Sequence, residues 1–273
     1  MRADDRNRQE PAGAGDAGAD RQRGVPAGTG NVVDERYRRA LDAAVADLTA
    51  DPEVVGIVWT GSVQQGRAGR TSDIDLYVVT HKPCYWRATR VYEGVATELF
   101  INNVASMRWR ITRPDEIAAA AGFATGQVLL DRTGEVAELR ELARRRWEAP
   151  PPPLRPEQAD LLRYHLTDLA DDLADVEEDP VASRVVGAAL VELAMKAFCK
   201  IHRHHGAKGK HIYGYVAERD PALGALLREY YTGGMNPRCA QAIVDHVLAP
   251  VGGRLVEWES EKVPYPDEGG DTR

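Results

Sequence analysis

Cysteine is scarce in this 273-residue chain. It occurs three times, at Cys84, Cys199 and Cys239, an odd number without close spacing. That pattern argues against a disulfide framework and predicts a reducing, cytoplasmic setting. No apolar run approaches the ~18 residues of a membrane span, so no membrane partner is expected. The N-terminal residues lack the apolar stretch of a secretory signal, so none is expected. Positive charge is also short. A formal net charge of -7 argues against sequence-independent nucleic-acid binding, which needs a basic face. An acidic surface instead favours a small, cationic substrate. Hydrophobic residues at 43% suffice for a real core, in one large domain or two ordinary ones.

What is present is organised around residues 54–79. The apolar run Val54, Val55, Ile57, Val58 and Trp59 reads as a buried strand, broken by Gly61-Ser62. A polar connector with Gly66, Arg67, Gly69 and Arg70 follows. The chain then re-enters an extended run at Asp73-Ile74-Asp75-Leu76-Tyr77-Val78-Val79. Residues i and i+2 of a strand share a face. Asp73 and Asp75 therefore aim two carboxylates into one volume, while Ile74 and Leu76 face a core. Paired anions repel, and a divalent cation is the usual compensation; Mg²⁺ favours one or two carboxylates plus substrate phosphates. Glycine lets a backbone approach a phosphate closely, and a helix start after Gly61-Ser62 presents free N–H groups. Arg67 and Arg70 flank that corner as candidate contacts to the β- and γ-phosphates. Further on, Glu98 is a charge among Val95, Thr97, Leu99, Phe100 and Ile101, where one is unwelcome without a reason. An exposed edge-strand position is the plainer account of Glu98. Glu93 is a weaker acidic candidate, because Gly94 after it reads as a turn.

Gly61-Ser62, ten residues, then Asp73-Ile74-Asp75 resembles the signature of the DNA polymerase beta-like nucleotidyltransferase superfamily. Its small bacterial members, similar to aminoglycoside nucleotidyltransferases, are the nearest likeness. A lone D-x-D is common by chance; the Gly-Ser corner at this gap makes the pattern far more specific. The resemblance implies a third carboxylate on a neighbouring strand, and Glu98 matches that place as metal ligand or general base. It implies Mg²⁺, and a nucleoside triphosphate, ATP first, as co-substrate. It implies transfer of a nucleoside monophosphate to a hydroxyl of a small acceptor, an aminoglycoside-like compound and hence antibiotic resistance, with release of pyrophosphate. Lys210 is matched to the lysine or arginine that such enzymes bring to the phosphates from their helical domain. Asp168, Asp171 and Asp172, with Asp175, are matched to acidic groups that receive a cationic acceptor; a solvated face of an amphipathic helix explains them equally. The alternatives are an antitoxin-type enzyme that modifies a protein or RNA, and a non-catalytic nucleotide-binding regulator. A homodimer with a shared acceptor pocket stays open.

The expected fold class is α+β: a small mixed-sheet nucleotidyltransferase domain, then an α-helical bundle domain. Residues 1–30 have almost no large apolar side chains and read as a disordered tail. The catalytic domain is expected over 31–148, with a helix over 35–49 and a polar connector over 81–90. Residues 91–102 read as a strand pair or one long strand. Residues 107–146 read as mostly helical, starting near Asp115 and Glu116, with a short strand near 127–130 and a clean helix over 135–147. By the resemblance, that short strand closes the catalytic sheet. Four consecutive prolines mark a stiff linker over 149–156. A substrate-binding bundle is expected over 157–258, its helices near 162–176, 185–201, 221–231 and 237–248, followed by a tail over 259–273. His202, His204, His205 and His211 lie near Cys199, but their spacing does not fit a zinc site. They read as a helix end, and Lys208-Gly209-Lys210 as a flexible basic turn.

Overall fold

Asp34 starts the first helix, its carboxylate accepting the Arg36 N–H at 2.9 Å. The helix, α1 (Glu35–Thr49), buries Tyr37, Ala40, Leu41, Ala44 and Leu48 at steps of three and four. The computed structural model describes residues 34–113, 116–207, 209–260 and 262. The expected tail over 1–30, the proposed helix start at Asp115, Lys208 and most of the tail over 259–273 lie outside the described residues.

Helix α1 covers one face of a five-stranded sheet. Its strands are β1 (Val54–Thr60), β2 (Ile74–Thr80), β3 (Trp86–Tyr92), β4 (Val95–Asn103) and β5 (Gln127–Asp131), in the order β3-β4-β2-β1-β5. Strands β2 and β4 pair in parallel and the other pairs are antiparallel, so the sheet is mixed. β1 and β2 are interior and almost wholly buried, which is why they read as continuous apolar runs. Ile74, Leu76, Val78, Leu99 and Ile101 face α1 in one core. The opposite face carries a second core, where Val55, Val58, Tyr77 and Val79 meet α3 (Val104–Thr112), α4 (Ala118–Thr125) and α5 (Glu135–Glu148). The short strand near 127–130 is β5, at the sheet edge beside β1. Of the two alternatives for residues 91–102 the strand pair is the one observed, and one other expectation shifts. Residues 91–102 are two strands, joined at Glu93-Gly94, where both φ angles are positive (49° and 76°) as a tight hairpin turn demands. Residues 86–90, expected as connector, already belong to β3; this edge strand only partly buries Ala88 and Tyr92 against the α1 core, so its alternation is too weak to mark a half-buried strand.

The remainder is helical: α6 (Pro156–Asp175), α7 (Pro180–Ile201), α8 (Gly209–Arg219), α9 (Pro221–Thr232), α10 (Pro237–Leu248) and a short 3₁₀ turn over 249–251. Leu166, Leu173, Leu190, Phe198, Leu227 and Ile243 anchor a core separate from those of the sheet. Pro156, expected in the linker, is the first residue of α6, where a missing N–H costs nothing. α7 starts earlier than residue 185 because Asp179 caps it, accepting from Val181 and Ala182. The basic turn at 208–210 is corrected: Gly209 and Lys210 open α8. Gly209 and Gly214 weaken the local helical signal, and burial of Ile212 and Val216 supplies what propensity lacks. His205 clasps the end of α5, its ring stacked on Trp147 at 4.9 Å and its Nε2 within 3.0 Å of the Trp147 and Ala149 carbonyls.

Candidate active site

Three acidic side chains meet on the face of the sheet opposite α1. Asp73 immediately precedes β2, Asp75 lies in β2, and Glu98 lies in β4. In the parallel ladder Asp75 and Glu98 are direct partners, so their side chains leave the sheet on the same side. One carboxylate oxygen from each residue lies within 4.8 Å of the others, and all three residues are half-buried. Hard oxygen donors so disposed fit a divalent cation such as Mg²⁺. No other such group of three histidines, cysteines or carboxylates occurs among the described residues.

The Gly61-Ser62 corner adjoins the trio. β1 ends at Thr60, the ladder partner of Asp75, and α2 (Gly61–Gln64) turns away from it. Gly61 has φ +88°, and a Cβ there would lie 1.9 Å from Asp75 Oδ2. Glycine is therefore required twice, for the left-handed backbone and for the carboxylate lying against it. The Ser62 hydroxyl donates to Ser72 Oγ at 3.1 Å, and Ser72 Oγ accepts the Gly69 N–H at 2.8 Å. Tyr37 of α1 donates to the carbonyls of Gly69 and Ser72, at 3.3 and 3.2 Å. The polar connector is thus tied to both α1 and α2 and holds Asp73 at the mouth of β2.

The floor of the site is apolar. Tyr77, two residues beyond Asp75, packs on Phe100 at 5.0 Å and Phe123 at 5.3 Å, and burial pushes its phenol up to about 12. The wall is Arg87 of β3, which sequence reasoning missed. Its guanidinium forms an ion pair with Glu98 and lies 4.6 Å from the Phe100 ring centroid. A signal for it existed: pairing Tyr92 with Val95 across a two-residue turn sets Arg87 opposite Phe100, as observed.

The remaining candidates divide by position. Arg67 is exposed, with its side chain on Gln65. Arg70 is also exposed and lines a hollow of about 190 Å³ with Arg36, Thr71, Ser72 and residues 94–96, beside the starts of β2 and β4. Lys210 is exposed in the first turn of α8, and no hydrogen bond or ion pair joins it to the trio among the described residues. Asp168, Asp171 and Asp172 are exposed along α6, as a solvated helix face would be, and none is in an ion pair among the described residues.

The nucleotidyltransferase domain family matches residues 41–112, a span that includes Gly61, Ser62 and all three acids. No curated protein matches the chain. Among solved structures, a nucleotidyltransferase-like protein from Exiguobacterium sibiricum is similar over 78% of this chain and 75% of its own. Identity is 15% and the TM-score is 0.45.

Proposed function

Residues 41–112 are a nucleotidyltransferase domain of the DNA polymerase beta-like superfamily, and on that premise we propose a Mg²⁺-dependent enzyme. It moves a nucleoside monophosphate, from ATP as first choice, to a hydroxyl of a small acceptor. The observation that carries this reading is the convergence of Asp73, Asp75 and Glu98 beside the Gly61-Ser62 corner.

Asp73 and Asp75 hold the cation, with Glu98 completing the donor set or accepting the acceptor's proton. A bound Mg²⁺ supplies neutralisation of the charge that develops on the departing pyrophosphate. The acceptor oxygen forms its bond to the α-phosphorus as the bond to pyrophosphate breaks, and the hydroxyl proton passes to the base. Ser62 and the N–H groups at the start of α2 hold the β- and γ-phosphates, with Arg67 and Arg70 as further cationic contacts. Lys210 and the α6 aspartates are assigned lesser roles, toward the phosphates and a cationic, aminoglycoside-like acceptor. The net charge of -7 supports that acceptor class.

The test is titration calorimetry with ATP and Mg²⁺, followed by a pyrophosphate-release screen across hydroxylated acceptors. Release with a small cationic acceptor supports the proposal. Release only with a protein or RNA acceptor replaces the acceptor class, and nucleotide binding without release under any acceptor makes the chain a regulator.

A further inference from the structure

Arg87 is ion-paired to one of the three acids. It projects from the edge strand β3, is the ladder partner of Phe100, and therefore shares a face with Phe100, Glu98 and Asp75. Its side chain is 60% exposed, whereas that of Glu98 is 28% exposed. The carboxylate is thus fixed in the site while the guanidinium reaches it from water. A stack on Phe100 and the Glu98 ion pair are the contacts that hold it.

We infer that Arg87 is a metal-linked switch: it neutralises Glu98 in the metal-free protein, yields it to a divalent cation, and then binds the nucleotide's phosphates. The inference rests on the reading of Asp73, Asp75 and Glu98 as cation holders. Its physical basis is that a guanidinium and a divalent cation repel, so each weakens the other's hold on the Glu98 carboxylate. The exchange costs little packing, because Arg87 is mostly solvated and Phe100 can keep the guanidinium above its ring. A guanidinium held beside a cation site presents a fork of N–H donors suited to phosphate oxygens. Arg87 then couples the two ligands: nucleotide draws it from Glu98 and tightens metal binding, and by reciprocity metal tightens nucleotide binding.

The experiment measures Mn²⁺ binding, with and without a non-hydrolysable ATP analogue, by wild type, D75N, R87Q and R87K. Without nucleotide, R87Q is expected to bind Mn²⁺ about two- to fivefold more tightly than wild type, the size of a partly exposed ion pair removed as competitor. It is expected to bind the analogue on the order of tenfold more weakly in the presence of Mn²⁺. R87K, which keeps the charge without the fork, falls between. R87Q binding Mn²⁺ no more tightly than wild type overturns the inference, provided D75N binds it more weakly. Wild type and D75N binding Mn²⁺ alike overturns the cation site itself and the inference with it.

Discussion

Replacing Gly61 with alanine tests the corner and the trio together. At φ +88° an alanine is in the left-handed region, which costs about 1–2 kcal/mol. The new Cβ would also lie 1.9 Å from Asp75 Oδ2, 2.8 Å from its Cγ and 3.1 Å from its Cβ. Rotating the carboxylate relieves the first two contacts, but the third involves the strand, so the corner itself must move; overpacking of this kind adds about 1–3 kcal/mol. Gly134→Ala is the control. That residue has φ +84°, and a Cβ added there would meet no atom within 4 Å, so it carries the backbone cost alone. Both positions lie in the sheet half, and urea unfolding reports them in the same transition. G61A is expected to lose about 2–5 kcal/mol and to bind Mn²⁺ at least ~10-fold more weakly, because Asp75 is pushed from its place. G134A is expected to lose about 1–2 kcal/mol and bind Mn²⁺ like wild type. Equal destabilisation of the two variants, or Mn²⁺ binding by G61A at wild-type strength, would refute the reasoning.

Three further outcomes are expected. Asp75→Asn should lower pyrophosphate release by two orders of magnitude or more, roughly 2.7 kcal/mol of barrier, with folding retained by circular dichroism; unchanged turnover contradicts its role. Tyr230→Phe should stabilise the protein by about 1 kcal/mol in urea, since the wholly buried Tyr230 hydroxyl has no hydrogen-bond partner among the described residues and burial pushes it up to about 12; a loss of stability would mean the hydroxyl is satisfied. Burial alone would raise the Asp220 carboxyl, but the Leu223 amide and His246 outweigh it and hold it below the ordinary carboxylate range. A depressed folded value means a contribution fully present above the unfolded value near ~4 and lost as pH falls through the folded one, so Asp220→Asn should flatten the stability–pH profile only on that acid side.

Legibility followed burial. β1 and β2 were plain because both are interior, and α9 and α10 because each starts with a proline and buries one stripe. β3 was hidden because an edge strand that only partly buries Ala88 and Tyr92 has little period to detect. α8 was hidden because Gly209, Gly214 and a histidine-rich approach look like a turn, and its helicity comes from Ile212 and Val216 meeting a core built elsewhere. At the site, Asp73 and Asp75 followed from strand alternation and Glu98 from its anomaly in an apolar run. Arg87 did not, because its meaning depends on a cross-strand register that a missed strand cannot supply. The α6 aspartates are exposed along the helix, an arrangement that a solvated face and an acceptor-binding face share.

The site is assembled by the same burial that shapes the sheet. β4 sends Val95, Thr97, Leu99 and Ile101 to the α1 face, where each is at most 4% exposed. A slip of one residue against β2 would expose that set and drive Glu98 into the α1 core. Each large apolar side chain returned to water would cost roughly 1.5–3 kcal/mol, so the core fixes the register that sets Glu98 opposite Asp75. Against this stands the repulsion of three carboxylates. One oxygen of each lies within 4.8 Å of the others, close enough for the charges to act on one another. Positive charge beside three such acids is favourable. The ion pair with Arg87 supplies it from the protein, and under the proposed function a divalent cation would add to it. The register that the core imposes thereby sets the three carboxylates where the proposed divalent cation would be held.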